Sequence, residues 1–189
     1  FVASNLIPLK NIDVLIKAFL KVNSQHLFLE IAGDGPEKDR LEDLANNSPF
    51  NNIKFLGWLD REEILAKMKT SDIFVMVSSP ETFGLVYLEA MASGCITIGA
   101  KREGIDGIIQ NGENGFLCEP RNVDDLADTI DKIVNLSKES KERLLRNTFE
   151  TVKGMTHKGV SDNYIEALQH VIAQSKVNKN ENNPHNPKL

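Results

Sequence analysis

The residues whose types and spacing best suit binding or catalysis are two glutamates, Glu81 and Glu89, which stand eight residues apart. Pro80 and Gly84 mark a loop, and the apolar run that starts at Leu85 predicts a helix containing Glu89. At about 1.5 Å per residue, eight residues span roughly 12 Å, about the distance from the sugar of a nucleotide-sugar to its ribose. Between the carboxylates lies the helix N-terminus, whose unpaired N–H groups favour a diphosphate. One short segment can therefore contact the sugar, the diphosphate and the ribose of one ligand.

Glu89 also has an ordinary structural explanation. Leu85, Leu88 and Ala92 recur at helical spacing and predict an apolar stripe facing the core, with Glu89 as a polar residue at its edge. Residues 87–92 otherwise carry no charge, however, and predict a helix buried on both sides, where an unpaired carboxylate is costly. This favours a ligand for Glu89.

A series of motifs around these glutamates resembles the family 4 glycosyltransferases, which are retaining enzymes of the two-domain GT-B architecture. Its centre is Glu81-x7-Glu89, with Phe83-Gly84-Leu85 between the two carboxylates. The matching segments elsewhere occur in the family's order, at residues 5–10, 33–36, 55–57, 89–94 and 112–117. The resemblance covers roughly residues 1–170. It implies that this chain is the nucleotide-sugar-binding, C-terminal half of such an enzyme.

The resemblance assigns roles residue by residue. It implies that Glu81 is the catalytic residue, holding the donor sugar hydroxyls and facing the reacting carbon. It implies that Glu89 accepts hydrogen bonds from the ribose diol, while backbone N–H groups between the two glutamates meet the sugar and the phosphate. The expected donor-binding residues are Asn5, Lys10, Gly33, Gly57, Leu59, Thr82, Phe83, Gly84, Leu85 and Glu89.

The diphosphate needs positive charge, and Lys10 is the basic residue at the family's phosphate-binding position. A solvated surface lysine is the ordinary alternative. The family usually has an arginine where this chain has Asn5, which can donate a hydrogen bond but brings no charge. Either stabilisation of the leaving group is weaker here, or another cation compensates, with Lys101 and Arg102 as the candidates.

Three loops follow predicted strands. Gly33-Asp34-Gly35-Pro36 allows a close backbone approach, and the resemblance implies that it shapes the nucleotide site, although glycine-rich turns between strand and helix are common. Backbone groups of Gly57-Trp58-Leu59 are expected at the nucleobase, with Trp58 either stacking or facing solvent or another domain. Residues 101–109 depart from the family pattern, since Asp106 and Gly107 replace Pro and Glu. We expect this loop to tune specificity for sugar and acceptor.

Short apolar runs alternate with helical patterns along the chain. This predicts an α/β fold, a Rossmann-like doubly wound parallel sheet with C-terminal helices, as in one half of a GT-B architecture. Ligands of such sheets bind at the carboxyl ends of the strands. Asp60 and Asn122 are predicted N-caps, and Pro36 is a predicted first helical residue. The predicted strands are 1–3, 27–32, 53–56, 73–77, 96–99 and 115–118; the predicted helices are 11–22, 36–46, 61–69, 85–93, 123–136 and 137–153.

The length of 189 residues, 41% of them hydrophobic, suits one core. We expect a donor-binding domain over residues 1–175, with a helical pattern at 156–174, followed by a disordered polar tail over 176–189. Because the chain opens on Phe1 in a strand-like run without Met, we expect it to be an excised piece whose acceptor domain lies N-terminal to it.

Composition excludes several classes of protein. A net charge of -5 without a basic cluster argues against a nucleic-acid partner. Cys95 and Cys118 lack metal-ligand spacing and are expected to be buried thiols of a cytoplasmic protein. No apolar run approaches the roughly 20 residues of a membrane span. The full-length enzyme is expected in the cytoplasm, with peripheral contact at the inner face of the cell membrane as a further option.

The expected reaction is retaining transfer of a glycosyl group from a nucleoside diphosphate sugar to an acceptor hydroxyl, as in polysaccharide biosynthesis. UDP-sugar is favoured over GDP-sugar as donor, and the acceptor is a glycan or a lipid-linked molecule bound by the N-terminal domain. No Asp-x-Asp motif lies in a suitable loop, so no metal and no cofactor are expected. The alternatives are a non-catalytic nucleotide-binding module, for which Asn5 is the best argument, and a GT-B sugar epimerase or phosphorylase.

Overall fold

The computed structural model of the chain describes residues 1–82 and 84–155. Its strands are β1 (Val2–Ala3), β2 (Leu29–Ala32), β3 (Ile53–Gly57), β4 (Ile73–Val75), β5 (Ile96–Ala100) and β6 (Phe116–Cys118). Its helices are α1 (Ile12–Val22), α2 (Lys38–Ala45), α3 (Arg61–Lys69), α4 (Leu85–Ala92), α5 (Val123–Val134) and α6 (Lys138–Gly154). A 3₁₀ helix at Pro8–Lys10 lies between β1 and α1.

The strands are parallel and form two ladders, β1-β2-β3 and β4-β5-β6. Phe1 joins the ladders, because its nitrogen donates to the Ile73 carbonyl at 2.8 Å and its carbonyl accepts from the Val75 N–H at 3.0 Å. The strand order across both ladders is therefore 3-2-1-4-5-6. The sheet is therefore doubly wound, as the sequence predicts, and its strand order reverses between β1 and β4.

The helices cover this sheet with apolar faces. In α1, Ile12, Leu15, Ile16 and Phe19 are buried at helical spacing, and α1 packs against α2 and α5. A second pair, α3 and α4, packs together, and α4 also packs on β5. Because the connections β1→β2 and β4→β5 run in opposite directions from the centre, the right-handed rule for such crossovers predicts that α1 and α4 lie on opposite faces of the sheet.

The predicted N-caps of α3 and α5 are confirmed. Asp60 accepts from the Glu63 N–H at 2.9 Å, and the Glu63 side chain accepts from the Asp60 N–H at 2.9 Å, which completes a capping box. Asn122 accepts from the N–H groups of Asp124 and Asp125. Both helices begin at the predicted residue.

The predicted start of α2 at Pro36 is wrong, since the helix begins at Lys38. The Glu37 N–H donates to the Leu6 carbonyl at 3.0 Å, and the Leu6 N–H donates to the Asp34 carbonyl at 2.9 Å. Residues 34–37 therefore form a turn bonded to the segment after β1 rather than the first turn of the helix.

Residues Phe1–Thr151 form one compact unit. The predicted domain end at residue 175, the helical pattern at 156–174 and the polar tail at 176–189 lie outside the described residues. Cys95 and Cys118 are buried and free, as predicted, and burial raises the pKa of the two thiols to about 11 and about 12. None of the helices in the described ranges has the length and apolar character that a membrane crossing requires.

Candidate functional site

Lys10 and Glu81 meet where the strand order reverses. Lys10 ends the 3₁₀ helix after β1, and Glu81 lies in the loop after β4. The Lys10 Nζ is 2.7 Å from the Glu81 Oε2, and the two side chains are 23% and 14% exposed. The two residues are 71 positions apart in the sequence. The structure therefore brings both predicted site residues to the place where doubly wound sheets bind ligands.

Hydrogen bonds hold the two loops against each other. The Asn11 side chain is buried and donates to the Val77 carbonyl at 2.8 Å. The Ser79 N–H donates to the Leu9 carbonyl at 3.0 Å. Because both bonds flank the Lys10–Glu81 ion pair, the pair is fixed by the backbone as well as by its charges.

The loop after β5 clamps the Glu81 peptide from both sides. The Glu103 carboxylate accepts from the Glu81 N–H at 2.6 Å, and the Gly104 N–H donates to the Glu81 carbonyl at 2.9 Å. Sequence reasoning placed this loop near the donor sugar but did not identify Glu103. Glu103 lies in the segment 101–109, and the departure of that segment from the family pattern was the available signal.

The buried face of α4 differs from the predicted one. Tyr87, Ala90 and Met91 are buried, whereas Leu85 is 67% exposed and Ala92 is exposed. The predicted core stripe is therefore wrong. Since α4 is apolar around most of its circumference, the spacing of its apolar residues does not define which side faces the sheet.

Tyr87 fixes the start of α4. Its hydroxyl donates to the Met76 carbonyl at 2.6 Å, and its N–H donates to the Gly84 carbonyl at 2.9 Å. Burial raises the pKa of Tyr87 well above its ordinary value, so this hydroxyl stays a neutral donor. Gly84 is the N-cap with φ 67°, and a Cβ there would lie 2.6 Å from two Tyr87 ring atoms. Glycine is required for both reasons.

Gly84→Ala is expected to destabilise the fold by about 1–2 kcal/mol more than Gly57→Ala, the matched control. Both glycines have positive φ, at 67° and 72°, so both variants carry the same backbone cost. A Cβ at Gly57 meets nothing within 4 Å, whereas one at Gly84 meets the Tyr87 ring. Urea unfolding of the two variants measures the difference. Equal losses would show that the ring moves aside freely.

Glu89 forms an ion pair with Arg61, a residue that the sequence did not single out. Arg61 begins α3, and its Nη2 is 2.7 Å from the Glu89 Oε1. The Glu89 side chain is 29% exposed, so the expected burial of this helix on both sides is wrong. The carboxylate reaches solvent at the edge of α4.

The predicted glycines Gly33 and Gly57 lie together at the ends of β2 and β3, because the Gly33 N–H donates to the Gly57 carbonyl at 2.7 Å. A Cβ at Gly33 would lie 1.8 Å from the Ser4 carbonyl oxygen. Close approach of the chain's own backbone therefore accounts for glycine at this position. Trp58 is 72% exposed beside Gly57.

Three further predicted residues lie in the loops at this edge. Asn5 and Thr82 are exposed and Leu59 is partly buried. Phe83 lies outside the described residues. Their contact with a donor stays a prediction.

The two candidate compensating cations are engaged elsewhere. Lys101 is 3.3 Å from the Glu119 carboxylate, and Arg102 forms a hydrogen-bonded ion pair with the same group. The Arg102 guanidinium, followed by the Lys101 ammonium, lowers the pKa of Glu119. In the described part of the chain, no group of three or more His, Cys, Asp or Glu side chains is arranged to hold a metal ion.

A 3-2-1-4-5-6 parallel sheet with a lysine and a glutamate paired at its reversal point defines a doubly wound α/β domain, a class whose ligands bind at that point. The chain belongs to the family described as "Glycosyl transferases group 1", whose model matches residues 1–151. The family expected from the motifs is thereby confirmed.

Relatives agree with this assignment. N-acetyl-alpha-D-glucosaminyl L-malate synthase of Bacillus anthracis is 36% identical over 152 residues, which are 79% of this chain and 38% of that protein. The chain spans less than half the length of the curated relatives it matches.

Solved structures define the fold more closely. The C-terminal domain of LpcC, a glycosyl transferase group 1 family protein from Francisella tularensis, matches with a TM-score of 0.73 and 27% identity, over 80% of this chain and 82% of that one. HepE from Anabaena, solved with UDP and glucose, matches with a TM-score of 0.75 and 26% identity, over 89% of this chain and 47% of that one. The chain has the fold of the C-terminal domain of GT-B glycosyltransferases.

Proposed function

We propose that this chain is the donor-binding domain of a retaining glycosyltransferase, with a nucleoside diphosphate sugar as its ligand. The observation that carries the proposal is the ion pair of Lys10 and Glu81 at 2.7 Å, formed by two loops that meet where the strand order reverses. One cation and one carboxylate there match the two halves of a donor. The diphosphate is an anion, and the sugar offers hydroxyl donors.

The two side chains then exchange partners when the donor binds. The Lys10 ammonium turns from Glu81 to the phosphates, where it offsets the negative charge that develops on the leaving diphosphate. The Glu81 carboxylate accepts hydrogen bonds from the sugar and faces the reacting carbon. Because both side chains are mostly buried, their charges act there with less screening than on an open surface.

UDP is the favoured nucleotide. HepE, which shares this fold at 26% identity, was solved with UDP and glucose. Gly57, Leu59 and the exposed Trp58 at the end of β3 are available to a nucleobase, and Glu89 at the edge of α4 is available to a ribose.

The acceptor is proposed to be a glycan or a lipid-linked molecule, bound by an N-terminal domain that this chain needs for transfer. The support is length, since the chain spans 38% of its relative N-acetyl-alpha-D-glucosaminyl L-malate synthase. In this arrangement the full-length enzyme acts in the cytoplasm, with peripheral contact at the membrane that carries a lipid-linked acceptor.

A non-catalytic nucleotide-binding module is the second candidate. It is favoured by Asn5, which has no charge, together with the engagement of Lys101 and Arg102 by Glu119. Turnover by the full-length protein separates the two candidates, because both bind nucleotide and only the enzyme transfers a sugar.

We expect the chain to bind UDP at least about tenfold more tightly than uridine, a difference of about 1.4 kcal/mol, because Lys10 and the loop amides meet the phosphates. We expect no sugar transfer by residues 1–189 alone, since the acceptor side and the wall that excludes water belong to another domain. Calorimetric titration with UDP, GDP, ADP and uridine tests the expected preference for UDP over uridine. A donor-consumption assay tests the expected absence of sugar transfer. Equal affinity for UDP and uridine would refute a phosphate-binding role for this edge, and transfer by the chain alone would refute the need for a partner domain.

A further inference from the structure

Arg61 holds Glu89 by a single carboxylate oxygen. Its Nε and Nη2 both donate to the Glu89 Oε1, at 3.1 Å and 2.7 Å. An arginine that only forms a strong surface pair commonly uses both carboxylate oxygens in a fork. Among the hydrogen bonds and ion pairs of the described residues, none involves the Glu89 Oε2. The geometry fixes the carboxylate and leaves one oxygen available as an acceptor.

The N-terminal cap of α3 fixes the backbone of Arg61. Asp60 and Glu63 form the capping box at the start of α3, and Arg61 is the first residue of that helix. The same residue lies two positions after Leu59, on the connection that carries Gly57-Trp58-Leu59 from the end of β3 into α3. Arg61 therefore connects the segment proposed for the nucleobase with the glutamate proposed for the ribose.

Folding does not explain the pair. The Arg61 side chain is 75% exposed, and ion pairs of this kind contribute little to stability. The pair does order the Glu89 side chain. This matters for binding, because a flexible glutamate must be ordered before it can bind two neighbouring hydroxyls. A side chain already ordered in the free protein does not incur that cost on binding.

We propose that Arg61 is a positioning residue for nucleotide recognition, which orders Glu89 through Oε1 so that Oε2 accepts from the ribose hydroxyls. This inference rests on the proposed function and adds a residue to it. Arg61 acts through Glu89 and not on the phosphates. Its contribution therefore depends on the presence of the hydroxyls.

The test is calorimetric titration of the whole chain with UDP and with 2′,3′-dideoxy-UDP, which lacks both ribose hydroxyls. Arg61→Gln is expected to weaken UDP binding about three- to tenfold, the scale for ordering one side chain, and to leave dideoxy-UDP within about twofold. Arg61→Lys keeps the charge without the planar fork and is expected to recover part of the loss.

Lys21→Gln is the matched control. It makes the same change of charge and breaks an exposed 2.7 Å ion pair between two helices, Lys21 with Asp124, in the last turn of α1. It should alter neither affinity. In a double-mutant cycle, Arg61→Gln should add no further loss to Glu89→Gln, because both act through the same carboxylate.

Equal losses for UDP and dideoxy-UDP would overturn the proposal and assign Arg61 to the phosphates or the base. Unchanged or tighter UDP binding in Arg61→Gln would also overturn it, since the arginine would then be a bystander or a competitor for Glu89. If the unaltered chain bound neither UDP nor GDP, the proposed function itself would fail and this inference with it.

Discussion

Glu81→Gln is expected to lower turnover of the proposed full-length glycosyltransferase about 100-fold or more, a barrier increase of about 2.7 kcal/mol, while raising the affinity of this chain for UDP. The loss of turnover follows from the position proposed for the carboxylate at the reacting carbon. A neutral amide there cannot stabilise positive charge that develops as the leaving group departs.

The gain in affinity follows from the ion pair. In the free protein, Lys10 donates to Glu81 at 2.7 Å, so a diphosphate must compete with that carboxylate for the ammonium. An amide at this position competes less and does not repel the phosphates. We expect UDP to bind about three- to tenfold more tightly, or about 0.7–1.4 kcal/mol. Titration with UDP and steady-state kinetics of the full-length enzyme measure the two effects.

Glu30→Gln is the control for this variant. Glu30 is a partly exposed glutamate of β2 that pairs with Lys67 at 2.7 Å, so its substitution makes the same chemical change in a similar ion pair outside the site. It should change neither turnover nor UDP affinity. Weaker UDP binding in Glu81→Gln, as large as the loss in Glu89→Gln, would contradict the separate roles proposed for the two glutamates.

Helices α3 and α5 show what the sequence predicts well. Their starts depend on Asp60 and Asn122, whose side chains bond to N–H groups two or three residues further on. Such interactions are contained within one short segment, so the pattern of residue types is enough to locate them. The predicted alternation of strands and helices rests on the same local periodicities.

Helix α4 shows what the sequence leaves open. Its orientation depends on Tyr87, whose hydroxyl bonds to the Met76 carbonyl beyond β4. No periodicity within α4 reports that distant bond. The prediction therefore assigned Leu85 to the core, where the structure exposes it.

The residues of the candidate site also fall into those that the sequence identifies and those that depend on tertiary packing. Lys10, Glu81 and Glu89 were found because they belong to recognisable motifs. The counter-ion of Glu89 was not found, because its pairing with Arg61 depends on how α3 packs against α4. An ion pair between separate elements is a tertiary property, and the residue types on both sides are common surface residues.

Lys10→Ala is expected to weaken UDP binding by about 1.5–3 kcal/mol, the range for a charge-assisted hydrogen bond, and to leave uridine within about twofold. The ammonium is proposed to face the phosphates, which uridine lacks. Parallel titrations with UDP and uridine measure the difference.

Two effects contribute to that loss and can be separated. The variant removes the cation, and it also leaves the Glu81 carboxylate, only 14% exposed, without its partner and close to the phosphates. In the double variant Lys10→Ala/Glu81→Gln the second effect is absent, so UDP should bind more tightly than to Lys10→Ala and more weakly than to Glu81→Gln. Lys67→Ala, which leaves Glu30 unpaired at a distance from the proposed site, is the matched control and should not change UDP affinity. Equal losses for UDP and uridine in Lys10→Ala would show that the lysine serves the structure of the loop after β1, because a contact to phosphate cannot alter the binding of a nucleoside.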